Sequence, residues 1–335
     1  MVVQAVVQQF FREQIDYTQC LVYYYFDNNI RLCSSVDEIA LKDVPSMLQL
    51  VAFHSEDRGK IIYLGHSLGT SMALMYASEY PDVAAKTVGL FVLLTPAYKL
   101  THMRSPYRVF FPFLYPTLEV TNALNVVQLL SGSNTRNITR PICLSSVPAM
   151  ILCLNTLNLF LGPFTQIAPE SIPIYFNQIP GGTSLKTVSY LTESTRGRFR
   201  KYNYGAGRNR LLYGSDTPPE YDIKRIKVPI YLMYAANDWC VTKEVSKILY
   251  IGLPASESAL EEVVEAVECA IQHLPDSSRG DVLHLYNTLP KDVRYGIYEI
   301  SNLNFNHYDF LFGRNSKTLV TDKLIQVLEK ATTFH

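Results

Sequence analysis

Ser67 is the residue whose surroundings in this sequence best suit nucleophilic chemistry. It lies at the centre of the G-x-S-x-G pattern Gly65–Gly69, between the apolar run Lys60–Leu64 and a helical pattern. Such a strand–turn–helix setting exposes a serine Oγ at the tip of a tight turn, near a helix N-terminus that favours negative charge. A random chain of this length contains the pattern about one time in ten, so an ordinary glycine-rich turn is the alternative. The setting predicts that Ser67 is a nucleophile.

A nucleophilic serine needs a general base, and the base needs a carboxylate that orients it. Asp238 follows the predicted strand Val228–Tyr234, and His307 follows the predicted strand Tyr295–Ile300. Ligands bind beyond the carboxyl ends of parallel strands, so both side chains are expected at the same sheet edge as Ser67. The sequence therefore predicts Asp238 as the orienting acid and His307 as the general base and acid. A plain turn-forming role is the alternative for Asp238.

Two neighbouring titratable residues are weaker candidates for this chemistry. His66 lies inside the turn and is expected to point away from the serine, which favours a scaffolding role. Asp309 follows His307 by two residues and is a rival acid. Its place in a turn favours capping or hydrogen-bonding of the loop that carries the histidine.

The elements that must position these residues alternate between strands and helices. Strand, helix and strand in succession predict a parallel pair joined by a crossover. Besides the two strands named above, the predicted elements are a helix over 34–56, the strand Lys60–Leu64, a helix over Met72–Tyr80, the strand Val88–Leu94, a helix over 258–274 and a helix over Ser316–Lys330.

Residues 97–225 interrupt this alternation and are rich in Pro, Asn, Tyr and Phe. They are predicted to form an inserted cap over an α/β core made of 1–96 and 226–335. The longest apolar segment, Val147–Phe164, contains Asn155 and Asn158 and ends in a Gly-Pro pair. It is interpreted as a buried or interfacial helix, and no transmembrane segment is predicted.

The composition excludes several function classes. The 335 residues are 48% hydrophobic and 18% charged, which excludes intrinsic disorder. Thirty basic and thirty acidic residues give a net charge of zero, so no nucleic-acid partner is predicted. The six cysteines include no C-x-x-C pair and lie beside no histidine cluster, so neither a metal nor a cofactor is predicted. The sequon at Asn137 makes that residue a glycosylation candidate.

Seven stretches of the chain match one known family. They are Tyr63–Thr70, Gly181–Ser184, Phe199–Gly205, Pro218–Tyr221, Val228–Pro229, Asn237–Trp239 and Asn306–Phe310. In these stretches the chain resembles the acid lipases, which are the gastric and lysosomal lipases and their invertebrate relatives. The resemblance implies an α/β-hydrolase fold, with a mostly parallel sheet flanked by helices and a mainly helical cap that bears a lid. It also implies hydrolysis of neutral lipid esters, with Ser67, Asp238 and His307 in the roles given above.

The oxyanion hole is the first departure from the family pattern. The family takes one backbone N–H from an upstream His-Gly loop and another from the residue after the serine, here Leu68. No His-Gly pair occurs in this sequence, and 66 residues precede Ser67. The second donor and the N-terminal strands of the core are therefore expected to be missing. An extra helical insertion is expected at about 251–281.

Two other departures concern features of secreted proteins. The family has a signal peptide, but Gln4, Gln8 and Gln9 interrupt the apolar N-terminus and none is predicted here. The family also has a disulfide before its Gly-Thr-Ser segment. Cys153 matches the first position and Leu161 the second, so that disulfide is expected to be absent. The resemblance nevertheless implies a secreted or lysosomal protein.

Three hypotheses of function follow. The first is a lipid esterase that acts on triacylglycerols or cholesteryl esters at an interface, through an acyl-enzyme on Ser67. The second is an inactive relative, either a pseudoenzyme or a lipid-binding protein, because loss of one oxyanion donor costs ~10²–10³ in kcat. The third is another hydrolase chemistry, such as that of a peptidase. We expect poor turnover of lipid esters. The apolar segments Val109–Leu114 and Ala149–Phe164 are expected to line a pocket or to face lipid. The sequence predicts no oligomeric state.

Overall fold

Parallel strands form the central sheet of the fold. The computed structural model describes residues 35–54, 60–103, 105, 128–129, 132–161, 166–178, 183–236, 238, 277–302 and 304–332. Within them the strands are β1 (Ile61–His66), β2 (Val88–Leu94), β3 (Gln128–Leu129), β4 (Thr183–Ser184), β5 (Ile230–Ala235) and β6 (Arg294–Ile300). The sheet has the order β1-β2-β5-β6 with every neighbouring pair parallel, while β3 and β4 form a separate antiparallel pair.

Helices connect these strands and build the inserted segment. They are α1 (Val36–Glu38), α2 (Val44–His54), α3 (Leu68–Glu79), α4 (Pro81–Thr87), α5 (Gly132–Cys143), α6 (Val147–Leu161), α7 (Ile172–Gln178), α8 (Leu185–Thr195), α9 (Ala206–Tyr213), α10 (Ser277–Thr288), α11 (Asp309–Phe312) and α12 (Asp322–Thr332). The first begins at a capping box, in which Ser35 Oγ accepts from Glu38 N and Glu38 Oε2 accepts from Ser35 N. The α/β architecture predicted from the sequence is confirmed.

Alternate residues of β2 pack into two separate apolar clusters. Phe91 and Leu93 belong to the cluster that contains α3, whereas Val92 and Leu94 belong to the one that contains Leu324 of α12. Successive side chains of a strand point to opposite faces, so helices cover both faces of the sheet, as a parallel sheet requires. This two-sided burial fixes the strand ends that carry the candidate site.

The helical hairpin α5–α6 carries a disulfide that the sequence did not predict. Cys143 at the end of α5 is bonded to Cys153 in α6, with their Cα atoms 5.7 Å apart. The disulfide of the family, which would join Cys153 to the position of Leu161, was expected to be absent, and Cys153 is bonded to Cys143 instead. Its partner lies upstream on the neighbouring helix instead of at Leu161, because the short connection 144–146 turns α6 back along α5.

The inserted segment contacts the core beside the loop of the candidate base. Arg314 N donates to Gln166 O at 2.8 Å, and Asn315 Nδ2 donates to Gln166 Oε1 at 2.9 Å. Ile167 also forms an isolated bridge with Gly313. Since residue 313 follows α11 directly, this part of residues 97–225 lies close to His307. The cap boundaries themselves stay a prediction.

Several predictions fall on residues that are not described. They concern residues 1–34, the apolar segment Val109–Leu114, and the proposed insertion at 251–281, of which the described residues 277–281 begin α10. Within the described ranges, no helix combines the length and apolar character needed to cross a membrane.

Gly65 makes the turn at the end of β1 sterically possible. A methyl group on Gly65 would lie 2.9 Å from Tyr63 Cε1 and 3.0 Å from Gly69 O. Tyr63 is held in place, because its hydroxyl donates to Gly69 O at 2.9 Å and its ring packs edge-on against Phe91. We therefore expect Gly65→Ala to lower the free energy of unfolding by ~1–3 kcal/mol in denaturant titrations.

Gly207→Ala is the matched control for this prediction. Gly207 lies within α9, and an added methyl group there would meet no atom within 4 Å. The exchange should leave stability unchanged or raise it by ~0.5–1 kcal/mol, because alanine favours a helix over glycine. Equal effects of the two substitutions would contradict the steric explanation.

Candidate active site

Ser67 lies in a strained turn between β1 and α3. Its backbone angles are φ 53° and ψ −120°, a combination that side-chain-bearing residues rarely adopt. Ser67 N donates to Leu94 O at 3.1 Å, and Thr70 N donates to Ser67 O at 2.9 Å. Strain of this kind costs of order 1–3 kcal/mol and concentrates at functional sites. The turn is therefore held in place by the end of β2 on one side and the first turn of α3 on the other.

Leu68 is the first residue of α3 and is buried. Its backbone N–H is one of the four that a helix leaves without a partner inside the helix. The helix N-terminus also carries partial positive charge, which favours an anion next to it. Leu68 N–H is thus suited to stabilise negative charge that develops beside Ser67.

Thr95 is a second strained residue at the same sheet edge, and the sequence did not single it out. Its φ is 48°, although it is β-branched, and it directly follows β2. Thr95 N donates to Met233 O of β5 at 2.8 Å. In the sheet order β2 lies between β1 and β5, so Thr95 lies between the turn at Ser67 and the loop of Asp238. A Thr-Pro pair after a strand gives no signal of positive φ, so sequence reasoning had no means of finding it.

His307 and Asp238 form a buried hydrogen-bonded pair. His307 Nδ1 donates to Asp238 Oδ2 at 3.1 Å, and the two residues are 3% and 2% exposed. This bond favours the tautomer in which Nε2 is free of hydrogen and can accept a proton. The backbone fixes the acid as well, because Ala236 N donates to Ile300 O and Asp238 N donates to Ala235 O.

The loop after β6 carries His307 back across the sheet edge to β1. The two strands lie at opposite ends of the four-stranded order, yet His66 Nε2 donates to His307 O at 2.9 Å. The centroids of the two imidazole rings are 4.9 Å apart. His307 is therefore next to the residue that precedes Ser67.

His66 is neutral, and its ring supports the loop that carries His307. Burial, followed by the nearby charge of His307, lowers the pKa of His66 to about 3. A neutral ring whose Nε2 donates to a carbonyl cannot accept a proton at that nitrogen. The contact holds the backbone of His307 in place.

Asp309, the rival acid, is bonded to the loop backbone. Asn306 N donates to Asp309 Oδ2 at 2.8 Å, and Asp309 N donates to Asn306 O at 3.2 Å. The histidine is bonded to Asp238, so geometry favours Asp238 as its orienting partner. Burial raises the pKa of Asp309 to about 7; the Asn306 N–H lowers it and the Asp238 charge raises it.

The remaining candidate is the sequon residue. Asn137 is exposed on α5. A second histidine–carboxylate pair links His102 Nδ1 to Asp281 Oδ1 at 2.8 Å and ties residues after β2 to α10. Within the described part of the chain, no group of three or more potential ligands is arranged to hold a metal ion.

Comparison with known proteins identifies the fold family of this chain. The model of the alpha/beta hydrolase fold family matches residues 57–268. "Lipase 3" of Drosophila melanogaster is 32% identical over 216 residues, which cover 63% of this chain and 54% of that protein. Gastric triacylglycerol lipase of Rattus norvegicus is 28% identical over 220 residues, which cover 65% of this chain and 55% of that protein. The chain thus spans about half the length of these curated relatives.

Among solved structures, the monoacylglycerol lipase of Paleococcus ferrophilus gives a TM-score of 0.42 at 14% identity, over 88% of this chain and 77% of that one. The family match covers more than half of the sequence, and the curated relatives bear the names of lipases. The chain therefore belongs to the α/β hydrolase fold family.

Proposed function

We propose that this protein is a serine hydrolase that cleaves carboxylic esters of neutral lipids through an acyl-enzyme on Ser67. One observation carries the proposal: the strained turn of Ser67 lies next to a buried His307–Asp238 pair whose loop crosses the sheet to reach it. A serine, its base and the orienting acid are the three parts that nucleophilic catalysis requires. The names of the curated relatives support a lipid ester as the substrate.

In the proposed reaction, His307 Nε2 takes the hydroxyl proton as Ser67 Oγ attacks the ester carbonyl carbon. The carbonyl oxygen becomes an oxyanion, which Leu68 N–H stabilises. The intermediate then collapses, the bond to the alcohol oxygen breaks, and His307 gives that oxygen its proton. Water attacks the acyl-enzyme in the same way, with His307 as the base, and releases the fatty acid and free Ser67.

The oxyanion hole sets the expected rate of this reaction. Leu68 N–H is the donor that the described residues place next to Ser67. A site with a single backbone donor is expected to turn over ~10²–10³ more slowly than one with two. We therefore propose slow turnover for this chain.

The hairpin α5–α6 supports a lipid surface as the site of action. The hairpin exposes large apolar side chains, which are Ile138, Ile142, Val147, Ile151 and Leu152. Its second helix contains no charged residue over its 15 residues. A patch of this kind commonly marks an interaction site. We propose that the hairpin inserts these side chains into the surface of a lipid droplet or emulsion.

The test compares an emulsified long-chain ester with a dissolved short-chain ester. The double variant Ile151→Glu and Leu152→Glu should slow hydrolysis of the emulsion ~10-fold or more, since each buried side chain is worth ~1.5–3 kcal/mol. Hydrolysis of the dissolved ester should not change. The control is Val83→Glu, at a residue of α4 that is 52% exposed, and it should affect neither substrate.

The outcomes separate the hypotheses of function. Equal losses on both substrates would contradict the lipid-surface role. Turnover of neither ester by the unmodified chain would favour the inactive, lipid-binding alternative.

We also propose that the protein passes through the secretory pathway. The Cys143–Cys153 disulfide and the exposed sequon residue Asn137 support this. Disulfides persist in oxidising compartments, and the enzymes that glycosylate asparagine act in the same pathway.

A further inference from the structure

The hydroxyl of Thr70 links the nucleophile turn to the segment that follows β2. Thr70 lies in the first turn of α3 and is 0% exposed. Its Oγ1 donates to Ser67 O at 2.6 Å and accepts from Ala97 N at 2.9 Å. Because Ala97 N–H can only donate and Ser67 O can only accept, the roles of the hydroxyl are fixed.

The carbonyl of Ser67 is held by two donors of this one residue. Besides the hydroxyl, Thr70 N donates to Ser67 O at 2.9 Å. A carbonyl oxygen has two lone pairs, so it can accept both bonds. The backbone bond would form with any residue except proline at position 70, whereas the hydroxyl bond depends on the side chain. The side chain of Thr70 therefore adds a second, specific constraint on this carbonyl.

A constraint on Ser67 O is also a constraint on Leu68 N–H. The two groups belong to one planar peptide unit, and in a trans peptide they point in opposite directions. Ser67 O points along α3 towards Thr70, so Leu68 N–H points out of the helix N-terminus. The turn needs this support, because the φ of 53° at Ser67 is strained and persists only where surrounding contacts enforce it.

The other partner of the hydroxyl is itself fixed. Ala97 lies just beyond β2, and its carbonyl accepts from Ser71 Oγ of α3 at 2.7 Å and from Tyr190 OH of α8 at 3.3 Å. The hydroxyl of Thr70 is thus held between two backbone groups that the core and the inserted segment both support. It is a rigid strut and not a freely rotating group.

We propose that Thr70 is a positioning residue whose hydroxyl holds the Ser67–Leu68 peptide so that Leu68 N–H is aimed at the oxyanion. This rests on the proposed function of the Ser67 site. Since the described residues place this one donor next to Ser67, no second donor among them compensates for an error in its direction. A misplacement of ~1 Å in a catalytic arrangement can cost ~10² in rate.

The first experiment measures the direction of Leu68 N–H and needs no turnover. The full chain is labelled with ¹⁵N-leucine, and the residual dipolar couplings of its leucine N–H groups are recorded in a weakly aligned medium. In Thr70→Val, which keeps the branched shape and removes the hydroxyl, we expect the coupling of Leu68 to change. The couplings of Leu74 in α3 and Leu93 in β2 should stay the same.

An unchanged Leu68 coupling in folded Thr70→Val would overturn the proposal. The result decides the proposal even if the unmodified chain hydrolyses no ester, in which case the proposed function fails on its own.

The second experiment separates kcat from KM on a dissolved short-chain ester. Leu68 N–H meets the full negative charge only after Ser67 has attacked, so a misdirected N–H should lower kcat and leave KM unchanged. We expect kcat of Thr70→Val to fall ~10–100-fold. Thr70→Ser keeps the hydroxyl and should restore kcat and the Leu68 coupling. A rise in KM with unchanged kcat in Thr70→Val would contradict the proposed role.

Ser71→Ala is the matched control for both experiments. The hydroxyls of Ser71 and Thr70 are neighbours on α3 and both bond Ala97, but that of Ser71 donates to Ala97 O instead of Ser67 O. We expect Ser71→Ala to lower stability and to leave kcat and the Leu68 coupling unchanged. Equal falls in kcat in the two variants would overturn the proposal, because disturbed packing around Ala97 would explain both.

Thr70→Cys replaces Thr70→Val if the valine variant does not fold. A thiol is a weaker hydrogen-bond donor than a hydroxyl. We expect the same changes in kcat and in the Leu68 coupling, smaller in size. A cysteine variant with the kcat and the Leu68 coupling of the unmodified chain would overturn the proposal.

Discussion

Replacement of Ser67 by alanine is expected to remove most of the ester hydrolysis that the protein catalyses. Removing the nucleophile of a triad costs up to ~10⁶ in kcat, although a site with one oxyanion donor starts from a slower rate. We therefore expect a loss of at least ~10³, measured by fatty-acid release at saturating substrate. The fold should not change, because alanine and serine both carry a Cβ and the strained turn therefore makes the same demand on both.

Ser71→Ala is the matched control. Ser71 lies one turn further along α3, and its buried hydroxyl donates to Ala97 O at 2.7 Å. Its loss should cost ~0.5–1.5 kcal/mol of stability and leave turnover at the level of the unmodified chain. Hydrolysis that persists in Ser67→Ala would assign the reaction to another nucleophile.

The His307–Asp238 pair is expected to show the second large effect. Asp238→Asn should lower kcat ~10⁴-fold, because an amide can donate to His307 Nδ1 and thereby favour the wrong tautomer. His307→Ala should lower kcat at least as much, since it removes the proton acceptor itself. His54→Ala, at the exposed end of α2, should have no effect.

A double variant tests whether these groups act as one unit. Ser67→Ala combined with His307→Ala should be no slower than either single variant, because groups of one triad are not additive. Losses that multiply would mean that the histidine acts independently of the serine, and the proposed mechanism would then be wrong.

The sequence predicted the strands best where an apolar run is bounded by turn residues or by a helical pattern. The predicted strand Val88–Leu94 has the observed bounds, and the strand after residue 60 ends two residues later than predicted. The strand Val88–Leu94 is almost entirely buried between helices, so burial and local pattern agree there, whereas β1 is only partly buried. Periodicity also predicted the helix before β1, which the capping box at Ser35 begins.

Local sequence patterns could not predict contacts between residues that are distant in the sequence. The bond from His66 to His307 O joins residues 241 positions apart, and no local pattern encodes it. The Cys143–Cys153 bridge depends on how α5 and α6 pack, which the spacing of ten residues does not specify. The positive φ of Thr95 likewise accompanies a backbone contact with β5, which lies far from it in the sequence.

The return of the His307 loop to β1 also determines when chemistry is possible during folding and unfolding. The contact closes a long stretch of chain, so we expect it to form late in folding, after the strands that it joins have paired in the sheet. Local opening of this loop would separate base from nucleophile while the sheet stayed intact. Catalytic competence is therefore a more sensitive indicator of native structure than overall secondary structure. On gentle heating, we expect ester hydrolysis to be lost at a lower temperature than the secondary structure.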